Sequence, residues 1–181
     1  GSEMCIRDRV IYAYGMELLI SDVLNTIIVL LIALFSHTLP AVVVFIAVFM
    51  GLRQFVGGFH ANSHLSCMFT LVMVMMVFSY GICNVSGHIT PIFSISFIMI
   101  ALPIILCIAP VPHPNKPMSE EKSVKLRKRS CILAVTLSVV TIALLVFQYQ
   151  KLSLYVSSGM LLSAIMALLG HFLNRGDNSK R

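Results

Sequence analysis

The sequence predicts an all-α, polytopic membrane protein of about six transmembrane helices, with both termini on the cytoplasmic side. Three observations carry that prediction. Of 181 residues, 58% are hydrophobic and 11% charged, and the mean hydropathy of +0.94 is far above what the core of a water-soluble domain needs. The apolar residues form continuous runs close to the roughly 20 residues that cross a bilayer as helix. Such runs match neither the alternating segments of a membrane β-barrel nor the polar-faced helices of a bundle in water. Finally, twelve of the thirteen Lys and Arg fall in alternate connections, on the side that the positive-inside rule makes cytoplasmic.

The elements follow in chain order. Residues 1–13, opening "GSEMCIRDR", lack an apolar period and read as a non-native or truncated start. A single membrane domain is expected over residues 14–175, with a polar tail at 176–181. The first span, 18–36, carries Asp22 near its start, and the second, 38–52, is short; a tilted hairpin is the alternative for this pair. The remaining spans are expected at 65–85, 92–109, 131–149 and 152–173. No cleavable signal peptide is expected, and the first span is expected to serve as its own membrane signal. The runs show no strong small-xxx-small pattern to mark a helix interface.

The connections differ sharply in charge. Residues 36–39 and 86–91 hold no Lys or Arg, and 149–151 holds Lys151 alone. Residues 111–130 carry Lys116, Lys122, Lys125, Arg127, Lys128 and Arg129 against Glu120 and Glu121, a net charge of +4. This basic loop reads first as a topology determinant in contact with anionic head groups. Electrostatic capture of an acidic peptide segment is the functional reading.

The stretch "RQFVGGFHANSHLSC", residues 53–67, concentrates the reactive side chains. Arg53 closes the second span and serves at least as an anchor to the head groups. Gly57 and Gly58 interrupt helix and permit a turn or the close approach of a substrate backbone. His60, His64 and Cys67 fall at i, i+4 and i+7, one face of a regular helix. A Cys–His nucleophile pair and a metal site both suit that face. The metal reading is the weaker, because no second ligand cluster accompanies it, and no metal or other cofactor is expected. The nucleophile reading needs a thiolate, and Cys67 has imidazoles, Arg53 and a helix start at hand to lower its pKa. On straight helix, His60 and Cys67 would stand about 10 Å apart along the axis, too far for a hydrogen bond. Either the segment folds back or His64 is the base, and spacing leaves both open. Cys83, Cys107 and Cys131 lie in or beside the spans and read as small apolar residues. Structural disulfides are not expected on the cytoplasmic side.

Arg53, Gly58, His60 and Cys67, in the spacing R-x4-G-x-H-x6-C with alanine after the histidine, resemble the signature of the accessory gene regulator B (AgrB) family, membrane cysteine endopeptidases of Gram-positive quorum sensing. "YGMELLISDVL" (14–24) is similar to the family's segment before the first span, and "APVPHPNKPMSEEKSVKLRKRS" (109–130) to its basic cytoplasmic loop. Family members generally carry an additional cytoplasmic N-terminal segment where this chain has residues 1–13. The resemblance implies an enzyme that removes the C-terminal tail of an AgrD-type precursor peptide at the cytoplasmic face of the cell membrane. It implies Cys67 as nucleophile and His60, rather than His64, as its partner, with Arg53 and Gly58 needed for activity. It also implies a thioester intermediate from which a thiolactone or lactone autoinducing peptide is cyclised, and a homodimer. No nucleic acid partner is expected. The rival is a non-enzymatic six-span protein, a peptide exporter or a metal-binding protein using His60, His64 and Cys67. After Asp22, however, the spans hold no deep charged residue to line a path.

Overall fold

The computed structural model describes residues 26–56, 77–110 and 120–178, together with positions 16, 20, 23, 24, 73 and 74. All regular structure among them is helical. We number the helices α1 (Thr26–Phe35), α2 (Leu39–Val56), α3 (Thr90–Ile108), α4 (Glu120–Val146) and α5 (Gln150–Asn178). A single π turn, Phe78–Ile82, precedes α3.

Among the described residues four helices, rather than the six expected, are long and apolar enough to cross a bilayer: Leu39–Val56, Thr90–Ile108, Ser123–Val146 and Gln150–Phe172. Within the first expected span the described helix covers Thr26–Phe35, and the described positions 20, 23 and 24 before it are also helical. Residues 65–72, 75 and 76 of the third expected span lie outside the described residues; positions 73, 74 and 77 are helical and lead to the π turn. Two boundaries also moved. The second span continues four residues past its expected end at Leu52, to Val56. In α4 the helix begins at Glu120, so most of the basic loop is helix continuous with the span. Glu, Lys, Leu and Arg are all good helix formers, so the basic segment carries helix as readily as the apolar one.

Two tight turns fold neighbouring helices into antiparallel hairpins. At the end of α1, Thr38 N–H donates to Ala33 O (2.9 Å) and His37 N–H to Leu34 O (3.2 Å). At the end of α4, Tyr149 N–H donates to Leu144 O (2.8 Å) and Gln148 N–H to Leu145 O (3.1 Å). Both are Schellman caps. The left-handed position, usually glycine, is occupied by His37 (φ 54°) and Gln148 (φ 64°). An L-residue there carries a steric cost of about 1 kcal/mol. Gln148→Gly is therefore expected to raise stability by about 0.5–1 kcal/mol, read as a higher thermal midpoint in mild detergent. An unchanged or lower midpoint would show that the turn is not strained.

Helix α5 is the hub, packing against α2, α3 and α4. Of its membrane window 56% is buried, against 22% for α3 and for α4. The reason lies in side-chain size. Ser153, Ser157, Ser158, Ser163, Ala164 and Ala167 face inward and let Leu154, Val156 and Met160 pack between them, while Ile165, Leu169 and Phe172 stay exposed. In lipid, apolar surface gains little by leaving one hydrocarbon environment for another, so close van der Waals approach and interhelical hydrogen bonds hold helices together. At Gly159 an added Cβ would lie 3.0 Å from Phe45 O and 3.1 Å from Val48 Cβ. Nearby, Ser163 Oγ lies 3.4 Å from Phe49 O and 3.0 Å from Gly159 O. The small-xxx-small series Gly159, Ser163, Ala167 is thus the α2–α5 contact, a signal present in the sequence and missed there.

Two core clusters stack along the bundle. One joins Val29 and Ala33 of α1 with Ala41, Val42 and Phe45 of α2 and with Phe78, near the hairpin turns. The other joins Leu52 and Val56 with Ile105, Ala109, Ala134, Ala164 and Ala167. Arg53 and the basic start of α4 flank the second cluster, and Lys151 sits at the opposite end, beside the turn before α3, where Gln150 Oε1 approaches Gly87.

Candidate functional site

Arg53 stands in the last turn of α2, half-buried. Its guanidinium lies 5.6 Å from the centre of the Phe49 ring, one turn earlier. Such a cation–π contact contributes about 1 kcal/mol, and the C-terminal carbonyls of the helix add a favourable field for a cation. Phe49 is itself fixed. It stacks on Phe45 (centroids 6.3 Å, 12° between planes), Phe45 meets Phe78 at 4.3 Å, and Phe78 meets Tyr155 edge-on at 5.9 Å. A file of aromatic rings therefore runs from α5, through the π turn, down α2 to the arginine. The i, i+4 spacing of Phe45, Phe49 and Arg53 was legible in the sequence, but the participation of Phe78 and Tyr155 was not.

The remaining residues singled out in the sequence fall unevenly. Gly57, Gly58, His60, His64 and Cys67 lie outside the described residues, as does Lys116. The backbone of Lys122 belongs to α4, while Lys125, Arg127, Lys128 and Arg129 are exposed on its first turns. Just beyond them Ser130 is fully buried and donates its hydroxyl to Arg127 O (2.9 Å). The positively charged end of the bundle thus combines Arg53, from which the chain passes into the glycine pair, with the basic start of α4.

Among the described residues no group of three or more His, Cys, Asp and Glu is arranged to hold a metal. His37 lies in the α1–α2 turn and His88 in the turn before α3, both exposed. His171 is half-buried near the other end of the bundle and meets Phe172 edge-on. Cys83, Cys107 and Cys131 are free thiols. Cys83 packs against the cluster around Phe45 and Phe78, as expected of a small apolar side chain.

Bilayer-length apolar helices, packed through buried serine, alanine, aromatic and aliphatic residues, with Arg53 and the basic start of α4 gathered at one end, define a polytopic α-helical membrane protein. The model of one protein family, described as accessory gene regulator B, matches residues 2–167, and the chain belongs to that family. An AgrB-like protein of Clostridium beijerinckii is 24% identical over 116 residues, covering 62% of this chain and 56% of that protein. The chain thus spans little more than half the length of the curated relative it matches. No solved structure matches it.

Proposed function

We propose that this chain is a membrane cysteine endopeptidase that removes the C-terminal tail of an AgrD-type precursor peptide at the cytoplasmic face and lets the remainder cyclise. The observation that carries this reading is the family match, which encloses the whole R-x4-G-x-H-x6-C pattern from Arg53 to Cys67. Two features support it. The last described turn of α2, which holds Arg53, directly precedes the glycine pair in the sequence, and basic residues collect at the same end of the bundle. With twelve of thirteen cations on one side, that end and both termini are cytoplasmic.

In this reading the Cys67 thiolate attacks the scissile carbonyl of the precursor. His60 accepts the thiol proton and returns it to the departing amine of the tail. The acyl group stays on sulfur as a thioester. A cysteine or serine within the retained peptide then attacks that thioester, closes the thiolactone or lactone ring and frees Cys67. The internal nucleophile profits from high effective concentration, and exclusion of water favours ring closure over hydrolysis. Gly57 and Gly58 give the precursor backbone room, Arg53 holds a carboxylate of the precursor or orients the loop, and His64 supports the segment. Two such chains form a homodimer.

The acyl-enzyme tests the reading. Purified full-length protein in lipid, mixed with an AgrD-type precursor and acid-quenched, is expected to gain the mass of the precursor less its tail. Hydroxylamine is expected to remove that adduct, and peptide mapping to place it on Cys67. Release of tail without a thiol adduct, or no release by folded protein, would overturn it.

A further inference from the structure

On α4 the outward face is continuous across the end of the membrane window. Lys125, Lys128, Ile132, Val135, Val139, Ile142 and Val146 recur at alternating spacings of three and four, and all are exposed. With Arg129 they fall within an arc of about 140° at 3.6 residues per turn. The opposite face carries Ser130, Ala134, Ser138 and Thr141, all buried in the bundle. Ile132, Val135 and Val139 are 56%, 45% and 59% exposed. The stripe therefore begins with three cations clustered within one turn of helix and continues as an apolar track. From Lys128 to Val139 it is about 17 Å long at 1.5 Å per residue, close to half of a hydrocarbon core.

We propose that this stripe is a docking site for an anionic phospholipid: Lys125, Lys128 and Arg129 hold the head-group phosphate, and one acyl chain lies along Ile132, Val135 and Val139. Charge complementarity selects the head group, since no ion pair engages these three residues among the described ones. The apolar continuation selects a lipid over an acidic peptide, which has no use for a track of branched aliphatic side chains. Helical continuity from Glu120 keeps the cations in register with the track. This site is independent of the peptidase chemistry proposed above.

Native mass spectrometry of the detergent-purified full chain tests it, using phosphatidylglycerol and phosphatidylcholine with identical acyl chains. The parent is expected to retain phosphatidylglycerol preferentially. Each basic residue near an anionic surface raises partition by about fivefold, so the Lys125→Gln/Lys128→Gln/Arg129→Gln variant is expected to lose about tenfold or more in retention. Arg127→Gln removes the same charge from the arc of Ser130 and Ala134 and is expected to leave retention within about twofold. If the triple variant fails to purify as helical protein, Lys125→Gln and Lys128→Gln carry the test singly, at about fivefold each. Equal retention of the two lipids would overturn the proposal, as would full retention by a folded triple variant or an Arg127→Gln loss as large as that of the triple variant. Displacement of phosphatidylglycerol by a polyglutamate peptide at equal concentration would assign the surface to an acidic peptide instead.

Discussion

Cys67→Ala is expected to abolish tail release from an AgrD-type precursor, lowering its rate by about a thousandfold or more. Without the thiol there is no acyl acceptor, and the loss of a covalent nucleophile removes the pathway rather than tuning it. His60→Ala is expected to cost about a hundredfold to ten-thousandfold, the usual span for a positioned acid–base group. His64→Ala is expected to stay within about threefold of the parent, since His64 lies outside the motif R-x4-G-x-H-x6-C. Replacing Cys83, Cys107 and Cys131 together by serine is expected to leave release intact. Intact-mass measurement of the freed tail reads all four. Release surviving Cys67→Ala would end the cysteine mechanism, and a His64→Ala loss exceeding that of His60→Ala would exchange the two histidines.

Gly159→Leu is expected to lower stability by about 3 kcal/mol or more. A Cβ alone at this position meets the Phe45 carbonyl at 3.0 Å and Val48 Cγ1 at 3.1 Å. The first of these contacts is backbone and cannot rotate away. Gly159→Ala thus forces α2 outward by a few tenths of an ångström, at about 1 kcal/mol. Leucine adds three further carbons, and overpacking of that size costs about 3 kcal/mol or more, a large share of a typical total stability of about 5–15 kcal/mol. The same displacement stretches the already long Ser163 contact to Phe49 O. Thermal melts in mild detergent, followed by circular dichroism and size-exclusion profile, measure the effect. Val48→Ala, which removes Cγ1, is expected to return part of the loss in the Gly159→Ala background, a coupling characteristic of touching residues. A Gly159→Leu protein melting with the parent would show that α2 and α5 do not pack as described.

What the sequence revealed and what it hid separate on physical grounds. The apolar runs of α2, α3 and α5 were found to within a few residues, because solvation in hydrocarbon demands continuous apolar side chains. The start of α4 was missed for a complementary reason. Charge marks where the bilayer ends, whereas helix continues through Lys, Leu and Arg as readily as through Val and Ile. The turns at His37 and Gln148 gave no glycine signal because neither left-handed position holds glycine. The hub role of α5 was hidden by distance, since Ser163 meets a carbonyl 114 residues away. In the candidate site the pattern of residue types named Arg53, His60 and Cys67, and of these Arg53 has a described position. Its fixation by Phe49 rests on aromatic partners drawn from two other segments, which no local spacing discloses.

The buried hydroxyls have a mechanical meaning. Ser138 donates to Ala134 O, Thr141 to Leu137 O, Ser157 to Leu154 O and Ser158 to Tyr155 O, each within its own helix. Bonds of this kind travel with the helix that carries them. Between helices, Ser153 already gives its proton to Gln150 O (2.7 Å), so Ser94 is the donor in the 3.1 Å contact joining α3 to α5. Among the described residues, that bond and the longer Ser163 contact to α2, whose one proton is shared with Gly159 O, are hydroxyl links between helices. Neither sets the register of α2 on α5; the close fit at Gly159 does, where only a missing Cβ leaves room for the Phe45 carbonyl and Val48. Gly159 thus acts as a detent: a slide of α2 must first lift the Phe45 carbonyl out of the space the missing side chain leaves, so Arg53, about two turns along α2 from that carbonyl, is held at a set depth.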